Sequence, residues 1–102
     1  MDNYDIEVII YNHRPSKKTI YSGSRPAFRV KQGYLTSGTI FLQNNDKIQY
    51  GESAIGYIKF ITPEAYPHCL SVGDRIDFHA GKLKVGEIEV RKVFNKLLER
   101  EQ

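Results

Sequence analysis

The chain has 102 residues, which is enough for one domain with a single modest core. Its 40% hydrophobic and 26% charged residues are ordinary globular proportions, and they exclude a wholly disordered chain. The net charge of +3 is mildly basic, and because the sequence shows no face on which Lys and Arg concentrate, a solvated surface with a small positive surplus is the favoured interpretation. A single cysteine, Cys69, excludes an internal disulfide.

The same features predict a reduced, cytoplasmic protein. The first residues contain no basic stretch followed by an apolar core, so we expect no secretory signal. No apolar run approaches the ~20 residues that cross a bilayer as a helix. We therefore expect no membrane partner.

Short apolar runs of period two, bounded by glycine, proline, asparagine and aspartate, predict strands joined by turns. A long polar connection carries a short extended piece at residues 19–21. The six predicted strands lie at residues 6–11, 27–31, 39–42, 53–61, 75–79 and 82–94. Six short antiparallel strands favour a closed barrel or a sandwich.

Glycine and proline mark the predicted joints between these strands. Gly33 and Gly38 are expected to bracket a turn, and Pro63 ends the fourth strand because proline cannot donate to a central ladder. Gly86 in the last strand predicts a bulge or a close approach of another backbone. Residues 95–102 are predicted to form a short helix, with Asn95 as its N-cap, or a frayed tail.

The order of these motifs resembles the third domain of elongation factor Tu. Residues 21–28, Tyr-Ser-Gly-Ser-Arg-Pro-Ala-Phe, resemble that family's aromatic-x-Gly-Tyr-Arg-Pro-x-Phe segment. Residues 37–42, Ser-Gly-Thr-Ile-Phe-Leu, resemble its Thr-Gly-Thr-Ile-x-Leu strand. Residues 60–65, Phe-Ile-Thr-Pro-Glu-Ala, resemble its Leu-Ile-His-Pro-Ile-Ala segment.

The resemblance continues to the end of the predicted strands. Residues 75–88, with Gly81, Val85 and Gly86 in step, resemble the family's last hairpin. Residues 90–94, Val-Arg-Lys-Val-Phe, are similar to its closing Val-x-x-Lys-Val-Leu, with one residue fewer between valine and lysine.

The resemblance implies an all-β fold, a closed six-stranded antiparallel β-barrel of the translation-factor type. The barrel would cover about residues 6–94 of a single domain at residues 1–102, with a tail at residues 95–102. In that family the domain packs on a second barrel and a GTPase domain, contacts tRNA and binds an exchange factor. Of three positions that contact tRNA there, Ala27 and Ala80 lack the polar group here and Ser37 keeps a hydroxyl. The resemblance therefore implies a fold more than a function.

The sequence offers no catalytic constellation. A GTPase phosphate loop ends in Gly-Lys-Ser/Thr, but the Gly81-Lys82 pair is followed by Leu83. His68 and Cys69 are adjacent, and adjacent residues of a strand point to opposite faces, although in an irregular loop the two side chains could approach each other. The favoured interpretation is a half-buried, inert cysteine beside a surface histidine. The histidines and this cysteine also lack the spacing of zinc ligands. We predict no enzymatic activity, nucleotide, metal or cofactor.

Basic and aromatic residues around the first long loop and the second strand are the candidate binding residues. Loops carry function disproportionately, and tyrosines stack on bases or fill the pockets of a protein partner. Simple solvation of the barrel is the alternative explanation for the charges. The candidates are Arg14, Lys17, Lys18, Tyr21, Arg25, Arg29, Lys31, Tyr34 and Ser37.

Two functions are predicted from this pattern. The first is a non-catalytic binding module that docks on a protein partner, such as the translation machinery or a toxin that it neutralises. The alternative is a tRNA- or RNA-binding module that uses the basic loop, with an affinity that falls steeply as salt rises.

Overall fold

The computed structural model describes residues 4–14, 17–31, 34–44 and 46–100, and for Lys31 the main chain alone. Helical structure within this part of the chain is one 3-10 turn at Pro63–Ala65. Eight strands are formed: β1 (Ile6–Asn12), β2 (Ile20–Tyr21), β3 (Ala27–Lys31), β4 (Tyr34–Leu42), β5 (Lys47–Ile48), β6 (Ser53–Phe60), β7 (Arg75–Ala80) and β8 (Leu83–Val93).

Six of the strands close into a barrel in the order β1–β6–β4–β3–β7–β8, and β8 pairs with β1 to complete the ring. Every pairing in the barrel is antiparallel. Strands β2 and β5 form a separate two-stranded sheet. The predicted all-β, closed six-stranded antiparallel barrel is confirmed, and closure removes the sheet edges that invite aggregation.

Alternate side chains of the barrel strands point inward and form the core. Phe28 lies among them, with its ring centroid 5.7 Å from those of both Phe60 and Phe78. Burying one such side chain stabilises the fold by about 1.5–3 kcal/mol. The buried apolar residues of the barrel strands are Ile6, Val8, Ile10, Phe28, Val30, Ile40, Ile58, Phe60, Ile76, Phe78, Val85, Ile88 and Val90.

The irregular segment after β6 adds to this core through Tyr66 and Leu70. The Tyr66 hydroxyl donates to Oγ1 of Thr36 at 3.1 Å. Burial raises the pKa of Tyr66 to about 12, because the ionised phenolate loses its hydration. The ring of Tyr66 lies 5.8 Å from that of Phe60, nearly perpendicular to it. The segment is therefore held to the barrel by packing although it has little regular structure.

The turn predicted to end at Gly38 is wrong, because Gly38 lies inside β4. A Cβ at this position would come within 3.0 Å of Cγ2 of Ile58 and of Cε2 of Phe28. The glycine is therefore required by the packing of two core side chains and not by a turn. Gly33, the other end of the predicted turn, lies outside the described residues.

The helical alternative for residues 95–102 is also wrong for its described part, residues 95–100. The main-chain amides of Phe94 and Asn95 donate to the carbonyl of Asp5 at 2.9 and 3.0 Å. Further on, Leu70 donates to the carbonyl of Leu98 at 2.9 Å, and Leu98 is fully buried. The amides of Leu98 and Glu99 donate to the carbonyls of Asn95 and Lys96, so residues 95–100 form a turn that bonds to distant segments hold in place, and not a helix.

Candidate functional site

A cleft of about 440 Å³ opens at the rim of the barrel. The start of β3, the β7–β8 hairpin and the loop after β1 meet there. Its polar lining comes from Arg14, Ser24, Arg25, Ser37 and His79. A second concavity of about 350 Å³ shares Arg25 and Ser37 with it and adds Lys59 on β6.

The register of the barrel brings these side chains together. Ala27 on β3 pairs with Ser37 on β4 and with His79 on β7, so those two residues flank the same position. Just before β3, the carbonyl of Pro26 accepts a hydrogen bond from the amide of Gly38 at 3.2 Å. The segment that carries Arg25 is thus bonded along β4 and lies beside Ser37.

The loop that carries Arg14 is held by Asn12, which is fully buried at the end of β1. Nδ2 of Asn12 donates to the carbonyls of Lys18 at 3.0 Å and Ile48 at 2.9 Å. Its Oδ1 accepts from the amide of Arg14 at 3.0 Å. One buried amide side chain therefore fixes the path of the basic loop beside the cleft.

Within the described part of the chain, two nitrogens of side chains that line the cleft have no hydrogen-bond partner. They are Nε of Arg14 and Nε2 of His79, and both atoms are buried. A buried polar atom without a partner costs about 1–3 kcal/mol, and such atoms in native proteins call for an explanation. Both belong to one cleft, which makes this cleft the candidate site.

The cations on the outer face of β7 and β8 are paired with carboxylates instead. Arg75 contacts Glu87 at 3.2 Å and Glu89 at 3.1 Å, and its hydrogen bond to Glu87 raises the pKa of Arg75. Lys84 contacts Asp77 and Glu87, each at 3.2 Å. Hydrogen bonds from Lys84 and Arg75 lower the pKa of Glu87. Positive charge on this face is therefore neutralised locally.

The structure brings some of the candidate residues together and separates others. Arg14, Arg25 and Ser37 line the cleft. Lys17 is exposed, its Nζ lies 5.8 Å from the ring centroid of Tyr50, and it is not among the residues that line the cleft. The main-chain carbonyl of Lys18 accepts from Asn12, as described above, and its side chain is exposed.

The other candidates lie away from the cleft lining. Tyr21 is 59% exposed on β2, and Arg29 is exposed on β3. Tyr34 is half-buried at the start of β4, with its ring 5.6 Å from that of Tyr66. The side chain of Lys31 lies outside the described part of the chain.

A second surface feature is an aromatic face, formed by Tyr4, Phe41, Tyr57 and Phe94. The rings of Tyr4 and Tyr57 stack at 4.7 Å, and Phe41 lies 5.2 Å from Tyr4. Phe41 and Tyr57 are directly paired across β4 and β6 and point outward, because alternate residues of both strands fill the core. Phe94 lies 6.4 Å from Tyr57 and is 47% exposed.

Sequence reasoning missed His79, Asn12 and the aromatic face. His79 lies in a strand of alternating apolar and polar residues, two residues before the hairpin glycine Gly81. Such a position does not by itself indicate a functional residue. The aromatic face comes from segments far apart in the chain. The available signal is that Phe41 and Tyr57 each alternate with core residues in their strands, which places both side chains on the outer face of the barrel.

The fold and these sites define a small closed β-barrel that has a basic cleft at its rim and an aromatic outer face. No known family model matches the chain, and no curated protein matches it either. Within the described ranges, no helix is long and apolar enough to span a membrane. The same residues contain no group of three His, Cys, Asp or Glu side chains placed to bind a metal ion.

Proposed function

We propose that the chain is a non-catalytic binding module that docks on a protein partner through its aromatic face. The observation that carries this proposal is the cluster of contacting rings on the outside of the barrel, with Phe94 47% exposed. Tyrosine and phenylalanine are enriched at the centres of protein interfaces, where they supply most of the binding energy. A contiguous apolar patch on a small domain marks an interaction surface.

The surroundings of the aromatic face fit the same role. Ile55, two residues before Tyr57 on β6, is half-buried on the same side and extends the apolar surface. Lys59, two residues after Tyr57, is exposed, and Glu7 contacts Arg91 at 3.7 Å on the other side. An apolar centre with charged neighbours is the usual arrangement of a protein interface.

The resemblance to the third domain of elongation factor Tu supports a protein partner as well, since that domain docks on other proteins. A component of the translation machinery and a toxin that the chain neutralises are the partner classes we propose. The cytoplasm is the compartment that both classes imply.

The change Phe94→Ser is expected to lower capture of the protein partner at least about tenfold, because loss of a hot-spot ring costs about 2 kcal/mol or more. Phe94 is exposed, so the barrel should keep its stability. The measurement is a pull-down from source-cell extract after RNase treatment, followed by direct titration of the identified partner.

Leu97→Ser is the matched control for this change. Leu97 is 41% exposed on the same tail and lies outside the aromatic face. It should bind the partner as the unmodified chain does. Equal binding by the Phe94→Ser and unmodified chains would place the interface elsewhere.

A second candidate function is RNA binding, favoured by the exposed cations of the loop after β1. Replacing Arg14, Lys17 and Lys18 with alanine should abolish RNA binding and leave docking through the aromatic face intact. For the unmodified chain, the logarithm of the RNA association constant should fall linearly with the logarithm of the salt concentration. The expected slope is roughly −0.7 to −0.9 for each phosphate contact. A flat salt response in a filter-binding titration contradicts this candidate.

A further inference from the structure

The cleft at the barrel rim has a donor set that its own protein does not use. An arginine Nε only donates, and an imidazole nitrogen donates when it carries the proton. Among the described residues, Nε of Arg14 and Nε2 of His79 have no partner, and Arg25 and Ser37 add a guanidinium and a hydroxyl to the same walls. An anionic acceptor in the cleft that reached both nitrogens would give each of them a partner.

The charges of the residues that line the cleft favour an anionic ligand. The described residues that line the cleft include two arginines and a histidine and no aspartate or glutamate. The described ion pairs that involve arginine use Arg75, Arg91 and Arg100, so Arg14 and Arg25 keep their charge for a ligand. A cationic ligand would meet only repulsion here, whereas an anion would meet several donors.

We propose that this cleft binds the phosphoryl group of a phosphomonoester, held between Arg14 and His79 and completed by Arg25 and Ser37. Arginine's planar fork matches phosphate oxygens, and donors that arrive from several strands suit a tetrahedral group with three terminal oxygens. The cleft of about 440 Å³ is much larger than a phosphate and leaves room for the organic part of the ester.

Both nitrogens are covered by neighbouring atoms. A ligand can therefore contact Nε of Arg14 only after the Arg14 side chain rotates toward the cleft. A donor kept without a partner destabilises the fold. Arg14→Met should therefore leave the Tm unchanged or raise it, whereas loss of a merely structural arginine would lower it.

The test titrates the protein with inorganic phosphate, against chloride at equal ionic strength. We follow the Arg14 Nε–H signal by NMR and the Tm by thermal unfolding. Phosphate should shift the signal saturably and raise the Tm, as any ligand of the native state does. Arg14→Met and Arg25→Met should each weaken phosphate binding at least tenfold. Arg29→Met removes an exposed arginine of β3 outside the cleft and should bind as the unmodified chain does.

Further ligands distinguish the source of the phosphoryl group. Adenosine monophosphate represents a small phosphomonoester, and one RNA oligonucleotide with and without a 5′-phosphate represents a polymer end. Binding of adenosine monophosphate, or a preference for the phosphorylated RNA, supports the proposal when Arg14→Met abolishes it.

Two results would overturn the phosphoryl clamp. One is equal binding of both RNAs without any binding of phosphate, which assigns the cleft to an extended RNA backbone. The other is phosphate affinity that Arg14→Met and Arg25→Met leave unchanged. Protein docking through the aromatic face uses none of these residues, so either proposal stands if the other fails.

Discussion

Replacing Asp5 with alanine is expected to destabilise the barrel by about 3–5 kcal/mol, since hydrogen bonds to a charged group contribute about 1.5–3 kcal/mol each. Asp5 is 7% exposed at the entry to β1. Its Oδ2 accepts from the amide of Phe60 at 2.7 Å, and its Oδ1 accepts from Nδ2 of Asn95 at 2.9 Å. One carboxylate thus joins the start of β1, the end of β6 and the tail.

Urea unfolding followed by circular dichroism measures this loss. Asp5→Asn keeps one acceptor oxygen and loses the charge, so we expect an intermediate effect. Asp46→Ala, an exposed position between β4 and β5, is the control and should change stability by less than about 0.5 kcal/mol. Equal stability of the Asp5→Ala and Asp46→Ala chains would show that the carboxylate does not hold the tail.

Gly86→Ala is expected to destabilise the barrel by about 3–5 kcal/mol, at or above the upper end of ordinary overpacking. A Cβ at Gly86 would lie 2.0 Å from the carbonyl oxygen of Tyr11 and 3.0 Å from Cζ of Phe78. The first contact is with main chain of the neighbouring strand, so no rotamer change relieves it. Strands β1 and β8 would have to separate, and their pairing closes the barrel.

Gly81→Ala is the control for this prediction. Gly81 has a φ of 63° and nothing within 4 Å of an added Cβ, so only the left-handed backbone opposes the change, at about 1–2 kcal/mol. Urea unfolding should separate the two variants, and hydrogen exchange should show faster opening of β1 and β8 in Gly86→Ala. A cost no greater than that of Gly81→Ala would contradict the close approach.

Much of the fold was predictable because strand patterns are local. The alternation around Phe28 and Val30 marks one strand, and Pro63 ends another, whatever the rest of the chain does. Gly86 was correctly expected to mark a close backbone approach. Gly38 was misinterpreted because a turn glycine and a glycine packed against core side chains look alike in sequence.

The candidate site was predictable only in part, because only local patterns can be read from a sequence. The basic character and loop position of Arg14 and Arg25 are visible in the sequence, and the structure places both at the cleft. His79 joins them because β7 pairs with β3 in a register that no local pattern specifies. The protein partner, the RNA alternative and the absence of catalysis stay predictions.

The six barrel strands in outline, the alternation of their core residues and the charges available for binding all follow from the sequence. These depend on side-chain chemistry and on a two-residue period within each segment. The tertiary structure was needed to see which rings meet in the aromatic face, which donors share the cleft and how the tail is bonded. Those contacts join residues far apart in the chain, and they arise from barrel closure and strand register, which are set by the packing of the whole molecule.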